Sequence, residues 1–154
     1  MKTIHRTGSD LRRHMSKPLI VIVQDNPADI QLFRLALVEQ KEPYQLIELR
    51  DGAEALRFVR ERHGEAEEPE PCVILLNLYL PKYDGVEVLR ALKADARLKH
   101  VQVVMLTSAI VPPSERLKME HLGAIIWQKP KQLAQVIELA AFVLDLCKKA
   151  IGVG

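Results

Sequence analysis

The polar residues best suited to a functional site follow short apolar runs of this sequence. They are Gln24 and Asp25 after the first run, Asn77 after the third, Thr107 after the fourth and Lys129 after the fifth. If the apolar runs are strands of one parallel sheet, these residues lie at its carboxyl edge, where open α/β sheets bind ligands. The central position holds an amide, so the first question is what an amide rather than a carboxylate does at position 77.

The elements that carry these residues alternate along the chain. Five apolar runs of strand length are separated by stretches whose apolar residues recur at helical spacing. This alternation predicts a flavodoxin-like (βα)5 α/β fold, a doubly wound parallel sheet of strand order 2-1-3-4-5. Asn26 and Asp84 are predicted helix N-caps, and Gly123 is a predicted helix-ending glycine.

Composition indicates one soluble domain of ordinary size. The chain has 154 residues, of which 48% are hydrophobic and 27% charged, and its net charge is +2. A charge so close to neutral gives no reason to expect a nucleic-acid partner. No apolar run reaches the roughly 20 residues of a membrane span, and no signal-peptide pattern opens the chain, so we expect a cytoplasmic protein.

Cys72 and Cys147 are the two cysteines of the chain. Because they form no CxxC motif and no framework spacing, we expect free thiols in a reducing compartment and no structural metal. Cys147 is interpreted as a small hydrophobic residue of the last helix. The five histidines are scattered without metal-ligand spacing, and Trp127 is interpreted as core packing.

The chain divides into three parts by composition. Residues 1–17 are predicted to be a flexible basic arm, which could also be a non-native extension if the natural start is Met15. Residues 18–149 form the predicted domain, and residues 150–154 a C-terminal tail. The sequence shows no separate output domain, so we expect any output to arise from contact with another protein.

Four segments resemble the receiver domains of two-component response regulators, the CheY-like family. The segments are VQDNPAD (23–29), VILLNLYLPKYDG (73–85), VVMLTSA (103–109) and QKP (128–130). The motifs DNPAD and LxLPKxDG are most similar to those of single-domain regulators that partner bacterial phytochromes. The resemblance implies a non-enzymatic receiver in phosphorelay signal transduction, with a sensor histidine kinase, and a bacteriophytochrome as candidate, for its partner.

In intact receivers, two acids and a backbone carbonyl hold Mg²⁺, an Asp accepts the phosphoryl group, and a hydroxyl and a Lys bind the phosphoryl oxygens. Matched by position, the resemblance implies Gln24, Asp25 and the Tyr79 carbonyl as the metal positions, Asn77 as the acceptor position, Thr107 and Lys129 as the phosphoryl-binding pair, and Ile126 as the switch-aromatic position. Three of these depart from the pattern: Gln24 and Asn77 are amides, and Ile126 is not aromatic.

The two amides change the expected chemistry but not the expected shape. An amide nitrogen is not a nucleophile at neutral pH, so Asn77 cannot form an acyl phosphate. The formal charge of the pocket rises from −2 to zero, which removes most of the attraction for Mg²⁺. We therefore expect no bound cofactor, and we expect Lys129 to lie against Asp25 and the Asn77 carbonyl.

Several functions remain open at this point. The favoured one is an atypical receiver that acts through protein–protein contacts without phosphorylation. Alternatives are a working phosphoacceptor that uses another residue, such as Asp25, and an engineered inactive form of a conventional regulator. A flavodoxin-like cofactor binder is less well supported, because the loop after the first strand lacks a phosphate cradle.

The last helix suggests a partner surface, because it is apolar on two stripes. One stripe is expected to cover the sheet, and the second to be free for a partner. The second stripe consists of Leu139, Phe142, Val143 and Leu146. We expect a homodimer through helix 4, strand 5 and helix 5, a face through which receivers commonly dimerise.

Overall fold

The structure is a computed structural model that describes residues 17–62, 69–108, 110–150 and 152. Nearly all of the predicted basic arm and most of the predicted C-terminal tail lie outside these residues. The strands are β1 (Leu19–Val23), β2 (Gln45–Leu49), β3 (Val73–Asn77), β4 (Gln102–Thr107) and β5 (Ile125–Gln128). The helices are α1 (Pro27–Glu39), α2 (Gly52–Arg62), α3 (Gly85–Ala94), α4 (Pro113–His121) and α5 (Leu133–Ala150).

The five strands form one parallel sheet in the order β2-β1-β3-β4-β5. This confirms the predicted fold class and strand order. β3 lies at the centre, and all five of its residues are buried, as expected of a strand covered on both faces. Asn77 is its last residue and is paired in register with Leu106 of β4. The side-chain amide of Asn77 therefore lies at the carboxyl edge of the sheet.

Alternation along the strands divides the core into two layers. Side chains such as Ile20, Ile22 and Leu75 face α1 and α5, whereas their neighbours, such as Val21 and Ile74, face α2, α3 and α4. Each layer is an apolar cluster that buries one face of the sheet. The polar residues of the strand ends therefore lie at the rim of a rigid scaffold.

The predicted free stripe on α5 is wrong for two of its four residues. Leu139 is 2% exposed and Val143 is 0% exposed, and both belong to the core layer beneath α1 and α5. The reason is that α5 packs against α1 as well as against the sheet, which buries more than one stripe of the helix. Phe142 and Leu146 are partly buried against the same layer.

Local signals at the helix ends agree with the structure. The Asn26 side chain accepts a hydrogen bond of 2.9 Å from the amide of Ala28, and Asp84 accepts one of 3.1 Å from the amide of Glu87. Both predicted N-caps are thus confirmed. Gly123 follows α4 with φ +89°, which confirms the predicted helix-ending glycine.

The expectation of two free thiols is wrong, because Cys72 and Cys147 form a disulfide. Cys72 immediately precedes β3, and Cys147 lies in the penultimate turn of α5. The fold brings their Cα atoms to 5.1 Å although 75 positions separate them along the chain. Cys147 is fully buried, but as half of a cross-link rather than as a free hydrophobic side chain.

None of the described helices is both long and apolar enough to span a membrane.

Candidate functional site

The site is built around the side-chain nitrogen of Asn77. Asn77 Nδ2 lies 3.2 Å from Gln24 Oε1, 3.3 Å from Asp25 Oδ1 and 3.0 Å from the carbonyl oxygen of Tyr79. An amide NH₂ carries two hydrogens, so it shares them among these three acceptors. The loop after β1 and the loop after β3 are thereby joined through one nitrogen atom.

Gln24 fixes the β1 side of this arrangement. The residue is 1% exposed, and its backbone amide donates to the carbonyl of Leu49 at 2.9 Å. Its Oε1 accepts from Asn77 and, at 3.3 Å, from the amide of Asn26 at the start of α1. The buried amide oxygen is therefore held between the helix cap and the end of β3, which gives Gln24 a definite orientation.

Asp25 and Tyr79 complete the ring of acceptors from more open positions. Asp25 is exposed, and the Tyr79 side chain is 60% exposed even though its carbonyl faces Asn77. Gly85 permits this geometry, because a Cβ there would lie 2.7 Å from the carbonyl oxygen of Asn77. The start of α3 thus packs directly on the backbone that carries the amide.

The three oxygens around Asn77 Nδ2 are the ones that the receiver pattern assigns to Mg²⁺. In this chain they face an N–H donor instead of a cation, and one carboxylate, Asp25, is among them. Mg²⁺ prefers anionic oxygens in octahedral geometry and gives up water reluctantly. The residues present therefore do not fit the ion. Within the described residues, no group of three or more His, Cys, Asp or Glu could hold a metal.

Lys129 does not lie where the sequence suggested. Its Nζ is 2.9 Å from Asp29 Oδ2 on the first turn of α1. No hydrogen bond or ion pair joins it to Asp25 or Asn77 among the described side chains, so the expected cluster with those two residues is wrong. Asp29 lies four positions after Asp25 and was not singled out from the sequence, although it belongs to the DNPAD segment.

Thr107 and Lys129 remain neighbours through the backbone. The amide of Lys129 donates to the carbonyl of Thr107 at 2.7 Å, and Thr107 is 4% exposed. Ile126 is paired in register with Met105 and packs against the core layer that faces α2, α3 and α4. An aliphatic side chain at this position contributes to packing and lacks the polar tip of a tyrosine.

A small cavity lies beside the site, between α1 and the start of α5. Its volume is about 120 Å³, and its lining combines the Asp29–Lys129 pair and Gln24 with apolar residues, among them Phe33 and Leu133. The ion pair therefore stands at the boundary between the polar edge of the sheet and an apolar recess. Lys129 is held away from Asn77 by this arrangement.

The comparisons with known proteins agree with this architecture. The family model described as response regulator receiver domain matches residues 20–140. This chain belongs to that family. Receivers of this family are signalling domains in two-component systems and not enzymes, which supports the expectation for this domain. The flavodoxin-like cofactor binder is accordingly not favoured.

One curated relative is response regulator Rcp1 from Synechocystis sp., 40% identical over 91 residues. That alignment covers 59% of this chain and 62% of Rcp1, so the receiver spans less than two thirds of the relative's length. A structure of Rcp1 in its Mn²⁺-bound form is similar with a TM-score of 0.70 and 31% identity, covering 82% of this chain and 91% of that one.

Two further solved structures are phytochrome-related. The phosphorylated cyanobacterial phytochrome response regulator RcpA gives a TM-score of 0.73 at 33% identity, covering 84% of this chain and 92% of that one. The bacteriophytochrome response regulator RtBRR gives 0.66 at 34% identity, covering 83% and 78%. This chain, which carries an amide at position 77, thus shares its fold with one relative described as phosphorylated and with another described as Mn²⁺-bound.

Proposed function

We propose that this receiver signals through protein–protein contacts without phosphorylation, because Asn77 stands at the acceptor position. The observation that supports the proposal is the triple contact of Asn77 Nδ2 with Gln24, Asp25 and Tyr79. These contacts use the N–H groups of an amide to connect the groups that a cation would otherwise connect. The loops of the site are therefore held together without metal, and the side chain at their centre has no nucleophilic oxygen.

The test is intact-mass spectrometry after incubation with Mg²⁺ and acetyl phosphate. We expect no phosphoryl adduct on the unmodified protein. A stable adduct that disappears in Asp25→Asn would support the alternative acceptor and overturn the proposal. The double variant Asn77→Asp/Gln24→Glu is the matched control, because it restores the two carboxylates on the same scaffold. Its phosphorylation would also show that the scaffold is that of a conventional regulator.

The proposed partner is a sensor histidine kinase of the bacteriophytochrome type. RcpA and RtBRR, which are described as phytochrome and bacteriophytochrome response regulators, support this choice. On this chain, α1 presents an apolar row beside the site, with Leu32, Leu35 and Val38 exposed by 39%, 51% and 61%. A contiguous row of exposed apolar side chains is a feature of protein contact surfaces. We also propose a cytoplasmic location, shared with the kinase.

A homodimer through α4, β5 and α5 remains a proposal, with a revised set of residues. Leu117 on α4 is 67% exposed, while Phe142 on α5 is partly buried and stacks on Trp127 with ring centroids 4.5 Å apart. Phe142 and Leu146 are kept from the predicted interface, Leu117 is added, and the buried Leu139 and Val143 are dropped.

A crossed pair of variants separates the two surfaces. Leu35→Asp should weaken binding to a purified bacteriophytochrome kinase roughly ten-fold and leave the molar mass in light scattering unchanged. Leu117→Asp should lower the molar mass to that of a monomer and leave kinase binding unchanged. A protein that is monomeric before mutation would refute the dimer. Equal loss of kinase binding in both variants would refute the assignment of α1.

A further inference from the structure

A surface groove runs beside the disulfide, on the side of the molecule opposite the carboxyl edge of the sheet. Its volume is about 450 Å³, and its lining includes Cys72, His100, Leu146 and Lys149. Cys72 is 7% exposed, whereas Cys147 is 0% exposed and does not line the groove. Of the two bonded cysteines, Cys72 is therefore the one that a molecule in the groove contacts.

The groove offers one lysine to a bound anion. Lys149 lines it with a side chain that is 72% exposed, and its ion pair with Asp145 is of the solvent-exposed kind that contributes little. Glu70, the acid of the same groove, contacts the Nε2 of His100 at 3.0 Å. Lys149 is left as the cation available to a carboxylate of a bound molecule.

We propose that the Cys72–Cys147 disulfide is a reversible redox site, opened at Cys72 by a low-molecular-weight thiol that carries carboxylates. The thiolate of the small molecule attacks the sulfur of Cys72. A mixed disulfide forms with Cys72, the bond to Cys147 breaks, and Cys147 leaves as a thiolate. A second thiolate then attacks the sulfur of the small molecule in the mixed disulfide. It releases the oxidised small-molecule disulfide and Cys72 as a thiolate, and the reverse sequence oxidises the protein.

The location of the bond gives this exchange a structural consequence. The disulfide ties the residue before β3, the strand that carries Asn77, to the last turns of α5. In a reducing compartment, disulfides of mesophilic proteins are typically transient or redox-sensing. The inference takes the reducing compartment from the proposed cytoplasmic location and is otherwise independent of the proposed signalling function, since it rests on the groove and on the unequal exposure of the two cysteines.

The test uses the full oxidised chain and reduced glutathione as the probe. After short incubation, acid quenching and alkylation with iodoacetamide, peptide mapping identifies which cysteine carries the glutathione. We expect glutathione on Cys72 and the alkyl group on Cys147. Glutathione on Cys147, or no reaction until denaturant is added, would overturn the proposal; the second result would make the bond a purely structural one.

Variants extend the test to the role of the groove. Lys149→Gln should slow reduction by glutathione roughly two- to five-fold, in keeping with one exposed charge, and should leave reduction by the neutral 2-mercaptoethanol unchanged. Lys118→Gln on α4 removes an equal charge that does not line the groove and should affect neither rate. If Lys149→Gln slows both thiols equally, the anionic preference is refuted. Circular dichroism of each variant verifies that it is folded.

Discussion

Replacing Asn77 by aspartate should turn the centre of the site from an attractive into a repulsive arrangement. The new carboxylate oxygen would take the place of Nδ2, 3.3 Å from Asp25 Oδ1 and 3.0 to 3.2 Å from two further oxygens. Two unit charges 3.3 Å apart repel by about 1 kcal/mol in water and by about 5 kcal/mol at an effective dielectric constant of about 20. Because Asp25 is exposed, we expect a loss of about 1–3 kcal/mol in the free energy of unfolding at neutral pH.

Mg²⁺ should reverse part of this loss in Asn77→Asp and none of it in Asn77→Ala. An ion that binds only the folded state stabilises it by about 1.4 kcal/mol at a concentration ten times its dissociation constant. Asn77→Ala is the matched control, because it removes the same hydrogen bonds without adding a charge. Urea unfolding with and without Mg²⁺ measures both effects. An aspartate variant as stable as the wild type without Mg²⁺, or insensitive to the ion, would refute the reasoning.

Three further predictions concern stability and can be measured by urea unfolding. Cys72→Ser should lower the unfolding free energy by about 2–5 kcal/mol, because the bond to Cys147 closes a long loop, and added reductant should remove most of the difference from wild type. Gly85→Ala should cost about 1–3 kcal/mol, because the added Cβ would meet backbone atoms of Leu78 at 2.8 and 2.9 Å. Burial lowers the pKa of Lys93 below 10.5, so the unfolded chain binds more protons just below that pH. Wild type should therefore gain stability relative to Lys93→Gln as the pH rises toward 10.5, and a flat difference would contradict this cause.

The strands and helix ends could be predicted from the sequence because each depends on residues that are close together in the chain. β3 is apolar from Val73 to Leu76, as expected of a strand covered on both faces, and the Asn26 and Asp84 caps are set by hydrogen bonds within a few residues. The convergence of Gln24, Asp25 and Asn77 was also predictable, because the carboxyl ends of neighbouring parallel strands meet at one edge.

What the sequence did not show depends on distances across the fold. Two carboxylates, Asp25 and Asp29, lie four positions apart, and the sequence alone does not show that the path of α1 brings Asp29 to Lys129. The pairing of Cys72 with Cys147 links residues 75 positions apart, and spacing alone does not reveal it. The burial of Val143 depends on how deeply α5 lies between α1 and the sheet, which an amphipathic pattern leaves open.

The most direct test of the central claim, that the Asn77 amide nitrogen takes the place of the cation, is a Mn²⁺ titration followed by NMR. The side-chain NH₂ signal of Asn77 is the reporter, since a paramagnetic ion held by Gln24, Asp25 and the Tyr79 carbonyl would broaden it beyond detection. We expect the signal to persist in excess Mn²⁺, while backbone signals of the same loops in Asn77→Asp/Gln24→Glu broaden at low concentration. Saturable loss of the Asn77 signal in the unmodified protein would contradict the account.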